Sequence, residues 1–213
     1  MRPIYLNLFV LMAISVPAFG QTAADPWLIL ASGEQGSINV HTTREDLVRV
    51  YGAANVVDQD ADVGDGEIEP VTFLFPQDPE RRIEILWKDP DRRADPREVG
   101  IRGKKSRWHG VHGVSLGTTL IQLQRINSRP FRLELLNDGT DMRNELISWH
   151  GGSLENEFQG EGRVILWLVG SSTKDTRQTR PQDFAGESDE PAMRAWNLRI
   201  SEMSWLFPSK KRH

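Results

Sequence analysis

The chain contains no cysteine. Disulfides therefore cannot hold it together, which excludes the small stapled scaffolds common among exported proteins and requires a packed core. Beyond residue 20 no apolar run is long enough for a membrane-spanning helix, so stable membrane insertion is not expected of the exported part. Basic residues are not in excess, with 26 Lys and Arg against 30 Asp and Glu, and that balance gives no electrostatic footprint for nucleic acid.

The first twenty residues have the three parts of a secretory signal peptide. Met1-Arg2 is the positive start, Ile4 to Val16 is mostly apolar, and Ala18-Phe19-Gly20 is a small-x-small cleavage pattern. Cleavage is expected after Gly20, with a periplasmic or extracellular destination. Removing Arg2 with the peptide moves the formal charge from −4 to −5. The remaining length can bury one good core, or two small ones that share a sheet.

A constant offset of 76 aligns Ile38–Val50 with Val114–Ile126. It pairs Val40 with Leu116, Thr42-Thr43 with Thr118-Thr119, Leu47 with Leu123 and Arg49 with Arg125. Self-similarity at a fixed offset marks a duplicated unit. In each copy two alternating apolar residues predict a short strand. Thr43 with Asp46, or Thr42 with Glu45, then predicts a capping box, as does Thr119 with Gln122. Short amphipathic helices follow, the first closed by Gly52.

Val71, Phe73 and Phe75 alternate, as do Ile83, Ile85 and Trp87, which predicts a hairpin turned at Pro76–Pro79. The acidic stretch 53–69 and the charged stretch 89–107 are expected to be loops, the second connecting the two units. In the second unit, alternation predicts strands at Phe131–Leu135, Leu146–Trp149 and Val164–Leu168. Trp196, Leu198 and Ile200 change phase to Met203, Trp205 and Phe207, which predicts a bulge in one strand or a break between two. The expected organisation is a signal peptide (1–20), a first α+β unit (21–107), a second (108–208) and a basic tail (209–213). A mobile polar loop is expected at 171–190. The fold class is α+β: two tandem units of short helix plus antiparallel strands, forming one antiparallel sheet with the helices on one face.

The tandem opening of Ile38–Gly52 and Val114–Ile126, with Phe73–Pro76 and Leu86–Asp89, resembles the β-lactamase-inhibitor-protein-like superfamily of secreted tandem-repeat proteins. It is also similar to exported bacterial proteins with a Leu-Phe-Pro hairpin and Leu-Trp-Lys-Asp. The resemblance implies an open sheet whose bare face and loops engage a partner protein. The chain departs from it in lacking the inhibitors' Cys pairs and in having no Leu-Phe-Pro hairpin in its second unit, so no contact residue carries over.

Three constellations could carry chemistry. Gly113-Val-Ser115-Leu-Gly117 matches the nucleophile-elbow pattern, and Asp138 or Asp141 followed by His150 completes the order Ser, Asp, His. Ser115 falls between alternating apolar residues and aligns with Asn39, which favours a scaffold role. Asp58, Asp60, Asp62 and Glu69 fall at positions 1, 3, 5 and 12 of a calcium loop, although Val63 stands where the sharp turn needs Gly. His109, His112 and His150 could supply imidazoles to zinc, without a placed fourth ligand.

The leading expectation is an exported, non-enzymatic binding protein, inhibitor-like in one version, whose open sheet face and loops 53–69 and 89–107 meet a partner protein. It needs no cofactor. The alternatives are a small secreted serine hydrolase using Ser115 and His150, and an envelope protein that binds calcium through residues 58–69.

Overall fold

The computed structural model describes residues 27–29, 38–64, 66–103, 105–137, 142–158, 163–170 and 185–208. The signal peptide 1–20, the tail 209–213, Asp138, Asp141 and residues 171–184 of the polar loop lie outside the described residues.

Nine strands are described: β1 (Val56–Gly64), β2 (Glu67–Leu74), β3 (Ile83–Asp89), β4 (Ala94–Arg102), β5 (Arg132–Asn137), β6 (Met142–Ser148), β7 (Arg163–Gly170), β8 (Ala185–Glu187) and β9 (Leu198–Leu206). They form one sheet in the order β1-β2-β3-β4-β9-β7-β6-β5-β8, every pairing antiparallel. Four short helices accompany them: α1 (Arg44–Tyr51), α2 (Leu120–Asn127), α3 (Glu155–Phe158) and α4 (Pro191–Ala195). The molecule is thus a mostly antiparallel sheet with a few short helices, an α+β fold.

The two eight-residue helices begin where the sequence caps them. Thr43 accepts from the Asp46 amide while Asp46 accepts from the Thr43 amide, and Thr119 and Gln122 do the same. Each box satisfies amides that the first turn leaves free. Helices this short are marginal alone, so packing maintains them. Leu47 of α1 and Leu120 and Leu123 of α2 are buried against the sheet.

The alternating residues before each helix do not form the expected strands. Asn39–Thr42 and Ser115–Thr118 are turns. In both, the later Thr amide donates to the carbonyl three residues back, and the earlier amide donates to the Thr hydroxyl. A threonine oxygen offered locally outcompetes a ladder partner. The buried Ile38 and Val114 then plug the core from a turn.

Two further expectations are corrected. The acidic stretch 53–69 is not a loop but a 3-10 turn (Ala53–Asn55), all of β1 and the start of β2. The charged stretch 89–107 contains β4, an inner strand between β3 and β9. Val99 and Ile101 of β4 are fully buried, while Glu98 and Arg102 point to the other face and hide the period-2 pattern inside a charge run. The β2–β3 hairpin forms, but with Thr72 opposite Ile85 its two alternating sets face opposite sides: Ile83, Ile85 and Trp87 enter the core, whereas Val71 and Phe73 lie on the other face. At the C-terminus, β9 is one strand. Its pairing with β7 jumps from Trp167↔Glu202 to Leu168↔Ile200, leaving Ser201 as the extra residue of a bulge.

The core lies on one face. Ile83, Ile85, Val99, Ile101, Leu166, Met203 and Trp205 from the strands pack with Leu47, Leu123, Phe158 and Met193 from the four helices. Trp149 stacks between Phe131 and Phe158, with centroids 5.3 and 5.5 Å away. Trp108 meets Trp27 edge to face at 5.2 Å and donates its indole N–H to the Arg81 carbonyl. The described helices contribute no residue to the small cluster of Val71, Phe73 and Leu86 on the opposite face.

Candidate functional site

The face away from the helices is built by register. Residues opposite one another across the strands, and every second residue along them, share a side. Val57↔Phe73, Glu84↔Gly100, Arg102↔Glu202 and Val169↔Arg199 all lie on this bare face. At one end Val71, Phe73 and Leu86 are buried without a helix above them. Long side chains cover the strip instead. The Arg82 guanidinium carbon lies 4.8 Å from the centroid of the Phe73 ring, and Arg97, the bulge residue of β4, reaches across to grip both carboxylate oxygens of Glu69 at 2.9 and 3.0 Å.

Over the middle strands runs a charge network. Arg82 pairs with Glu84 at 3.2 Å, Glu84 with Arg102 at 3.4 Å, and Arg102 with Glu202 at 2.9 Å. Burial alone would lower the pKa of Arg102, but Glu202 and Glu84 outweigh it and raise the value. Towards β7 the face becomes apolar again, with half-buried Ile165 and Trp167 and with Val169 42% exposed. Apolar surface thus flanks an ionic centre in which Arg102 is exposed while Glu84 and Glu202 are half-buried.

The structure does not gather the four carboxylates aligned with a calcium loop. Asp58, Asp60 and Asp62 alternate along β1 and share the helix-side face. Glu69 stands opposite Ala61 and therefore points to the bare face, where Arg97 holds it. Asp58 is also fully engaged. Its carboxylate accepts from Arg44 Nε at 2.5 Å and from Thr72 Oγ1 at 2.7 Å, lies 3.2 Å from Arg93 Nε, and through Thr72 connects to the Trp87 indole N–H. It ties α1 and the β3–β4 turn to the sheet.

Ser115 and His150 likewise have separate partners. Ser115 sits in its turn with an isolated bridge to His109, and α2 starts only after the Thr119 cap, so the strand-to-helix elbow is not formed. The His150 imidazole faces Glu187 at 3.0 Å, and no hydrogen bond joins it to Ser115 among the described residues. His109 is half-buried with Nδ1 2.9 Å from the Gly110 carbonyl, whereas His112 is exposed in a 3-10 turn. Among the described residues no group of three or more His, Asp or Glu side chains is gathered as metal ligands would be. No helix among them is long and apolar enough to cross a membrane.

Two clefts were not foreseen from sequence. A shallow one of 370 Å³ at the end of α2 is lined by Arg125, Arg129 and Arg194. Arg125 and Arg194 occupy the last turns of their helices, where a cation complements the helix dipole. The other, of 590 Å³, lies where β7 ends and β9 begins. Its residues are scattered through the sequence at 103, 116–117, 169–170 and 199–201, so no local pattern announces it. Compared with protein-family models, with curated proteins and with solved structures, the chain matches none of them.

Proposed function

We propose that this chain is an exported, non-enzymatic binding protein built from two tandem copies of one α+β unit, and that the bare sheet face is where it engages a partner protein. The observation that carries the proposal is the bare face itself: among the described residues the Val71–Phe73–Leu86 strip is covered by Ala61, Val63 and long ion-paired side chains rather than by a helix, and Trp167 stands at the far side. Arginines lying over aromatic rings are adaptable covers, and tryptophan and arginine are the residues that most often anchor protein contacts.

The strand order supports the tandem reading. The first unit runs helix then four strands and the second helix then five, with α3 and α4 between its strands; the sheet order is β1-β2-β3-β4 followed by β9-β7-β6-β5, with the extra strand β8 outside. That is a palindrome about the β4–β9 pairing, as expected when two like units join edge to edge. The turn before each helix also docks alike. The Thr42 carbonyl accepts from Asp95 near the start of β4, and the Thr118 carbonyl accepts from Ile200 near the start of β9. An inhibitor-like role fits this architecture through the superfamily resemblance, and periplasmic or extracellular destination follows from the leader.

The test begins with affinity capture from an envelope extract, using the exported chain and the Trp167→Ala and Arg82→Glu variants. Each captured protein is then purified and titrated against all three. Loss of binding in the variants with melting temperature retained supports the bare face. Undiminished binding by both would place recognition elsewhere on the molecule.

A further inference from the structure

The larger cleft is an open one, bounded by the ends of β4 and β7, the start of β9 and a turn held against it. The Leu116–Gly117 turn forms one wall and is pinned to β9 by two hydrogen bonds, Gly117 N–H to the Ile200 carbonyl at 2.8 Å and Ile200 N–H to the Thr118 carbonyl at 2.9 Å. Gly103 and Gly117 line it with φ of +96° and +87°, a conformation that disfavours side chains, and a Cβ at either would meet nothing within 4 Å. Leu116 and Val169 make the lining mostly apolar, and Ile200, its side chain buried in the core, contributes backbone. The bulge places Ser201 here outside the β7–β9 register, its hydroxyl donating to the Trp167 carbonyl at 3.2 Å.

Among the described residues one cation faces this space. Arg199 lines the cleft and is exposed. Ten other described arginines lie within 4 Å of a carboxylate. Arg199 has no such partner among the described residues. An apolar cavity of a few hundred Å³ with a few convergent polar groups is the usual form of a small-molecule site. A planar guanidinium recognises carboxylate by two parallel hydrogen bonds. Neither a purely apolar ligand nor a dianion matches a greasy wall with a single positive charge.

We propose that this cleft binds a small amphipathic monoanion, an unbranched acyl chain ending in a carboxylate. The carboxylate sits on Arg199 and the chain lies against Leu116 and Val169. This site is separate from the protein-binding reading and stands without it. Val169 and Arg199 do belong to the same sheet face, so an occupied cleft would extend that face's apolar end.

The test is isothermal titration of the full chain with sodium decanoate below its micellar concentration, alongside decanol and sodium propionate. Saturable one-to-one decanoate binding is expected, with decanol at least tenfold weaker and propionate undetectable. Arg199→Gln should weaken decanoate at least tenfold, and Leu116→Trp, which fills the cavity, should abolish it. Near-ultraviolet circular dichroism confirms that both variants remain folded. Should Leu116→Trp fail to fold, Val169→Asp, on an exposed position beside Arg199, replaces it with the same expectation. Equal binding by wild type and Arg199→Gln, or no saturable binding by folded wild type, overturns the proposal. Flotation with phosphatidylglycerol vesicles distinguishes the source of the chain: binding to vesicles without binding to decanoate overturns it too.

Discussion

Asn127 offers the sharpest test of how the second helix is fixed. It is the last residue of α2 and completely buried. Its side-chain amide donates to the Arg129 and Trp149 carbonyls at 3.1 and 3.0 Å and accepts from the Leu154 amide at 3.2 Å. Asn127→Asp keeps the shape but removes both donors, so two buried carbonyls lose their partner and face a negative oxygen. At about 1–3 kcal/mol for each orphaned buried group, plus the cost of the charge, the variant should lose about 3–5 kcal/mol at pH 7. For a chain of this length that is a fall of about 6–20 °C in melting temperature. The pH dependence gives the signature. The new carboxyl is stabilised in its neutral form, so its folded pKa rises above the unfolded value. Its deficit is therefore smallest at low pH and widens as pH rises through the folded pKa. Gly152→Ala attacks the same node from the other side, because a Cβ there would overlap the Asn127 amide. The double variant should lose clearly less than the sum of the two single losses. Thermal melts of the four proteins at pH 4.5 and 7 decide the matter. A pH-independent gap of under about 2 °C, set against the range above, would refute the assignment of Asn127 as a buried knot.

Thr43→Ala and Thr119→Ala should each cost about 1 kcal/mol, or about 2–4 °C, and add in the double variant, since each removes one independent cap. Strong coupling between them in melting experiments would contradict separate capping. Hydrogen bonds from Thr43 hold the Asp46 carboxyl below its usual pKa, and those from Arg81 and the Glu80 amide do the same for Asp78. A lowered folded pKa means that the contribution is present above the usual carboxylate range and is lost as pH falls through the folded value. Carbon-detected NMR titration should show both groups titrating below the usual aspartate range, and midpoints within that range would count against these bonds. Asp58→Asn should destabilise by about 1–2 kcal/mol, a modest figure because Arg44 and Arg93 are a third exposed and solvent screens their pairs. Calcium and chelator should leave the melting temperature within error of each other, because Glu69 faces away from Asp58, Asp60 and Asp62; a clear rise with calcium would show a rearranged site.

The features legible in sequence were those fixed by local chemistry. Thr43 with Asp46, Thr119 with Gln122, the Val71–Trp87 hairpin and the phase slip at Ser201 each depend on residues a few positions apart, and each forms. What escaped was decided across the sheet. β4 looks like a charged connector because Glu98 and Arg102 serve the ionic network of the bare face, while Val99 and Ile101 between them are fully buried. β1 escaped for the complementary reason: at Asp58 a helix-facing position carries a carboxylate rather than an apolar group, and only Arg44, Thr72 and Arg93 make that tolerable. The strands expected at Ile38 and Val114 show the opposite error, since two alternating residues also fit a turn when a threonine oxygen is within reach.

The same reasoning explains why the polar segments, rather than the apolar ones, concentrate at the candidate surface. A nine-stranded sheet with helices on one side must solvate its other side or cover it. This chain covers its bare-face apolar strip with Arg82 and the Arg97–Glu69 pair, and fills the centre with Glu84, Arg102 and Glu202. Those charged groups keep the strip covered, with Phe73 buried beneath Arg82 and Trp167 half-buried towards β7. If the cover serves only solubility, replacing Arg82 and Arg97 with Lys should change neither capture nor affinity. If it forms part of the recognition surface, that exchange should weaken binding, because Lys lacks the planar guanidinium that Arg82 lays over Phe73.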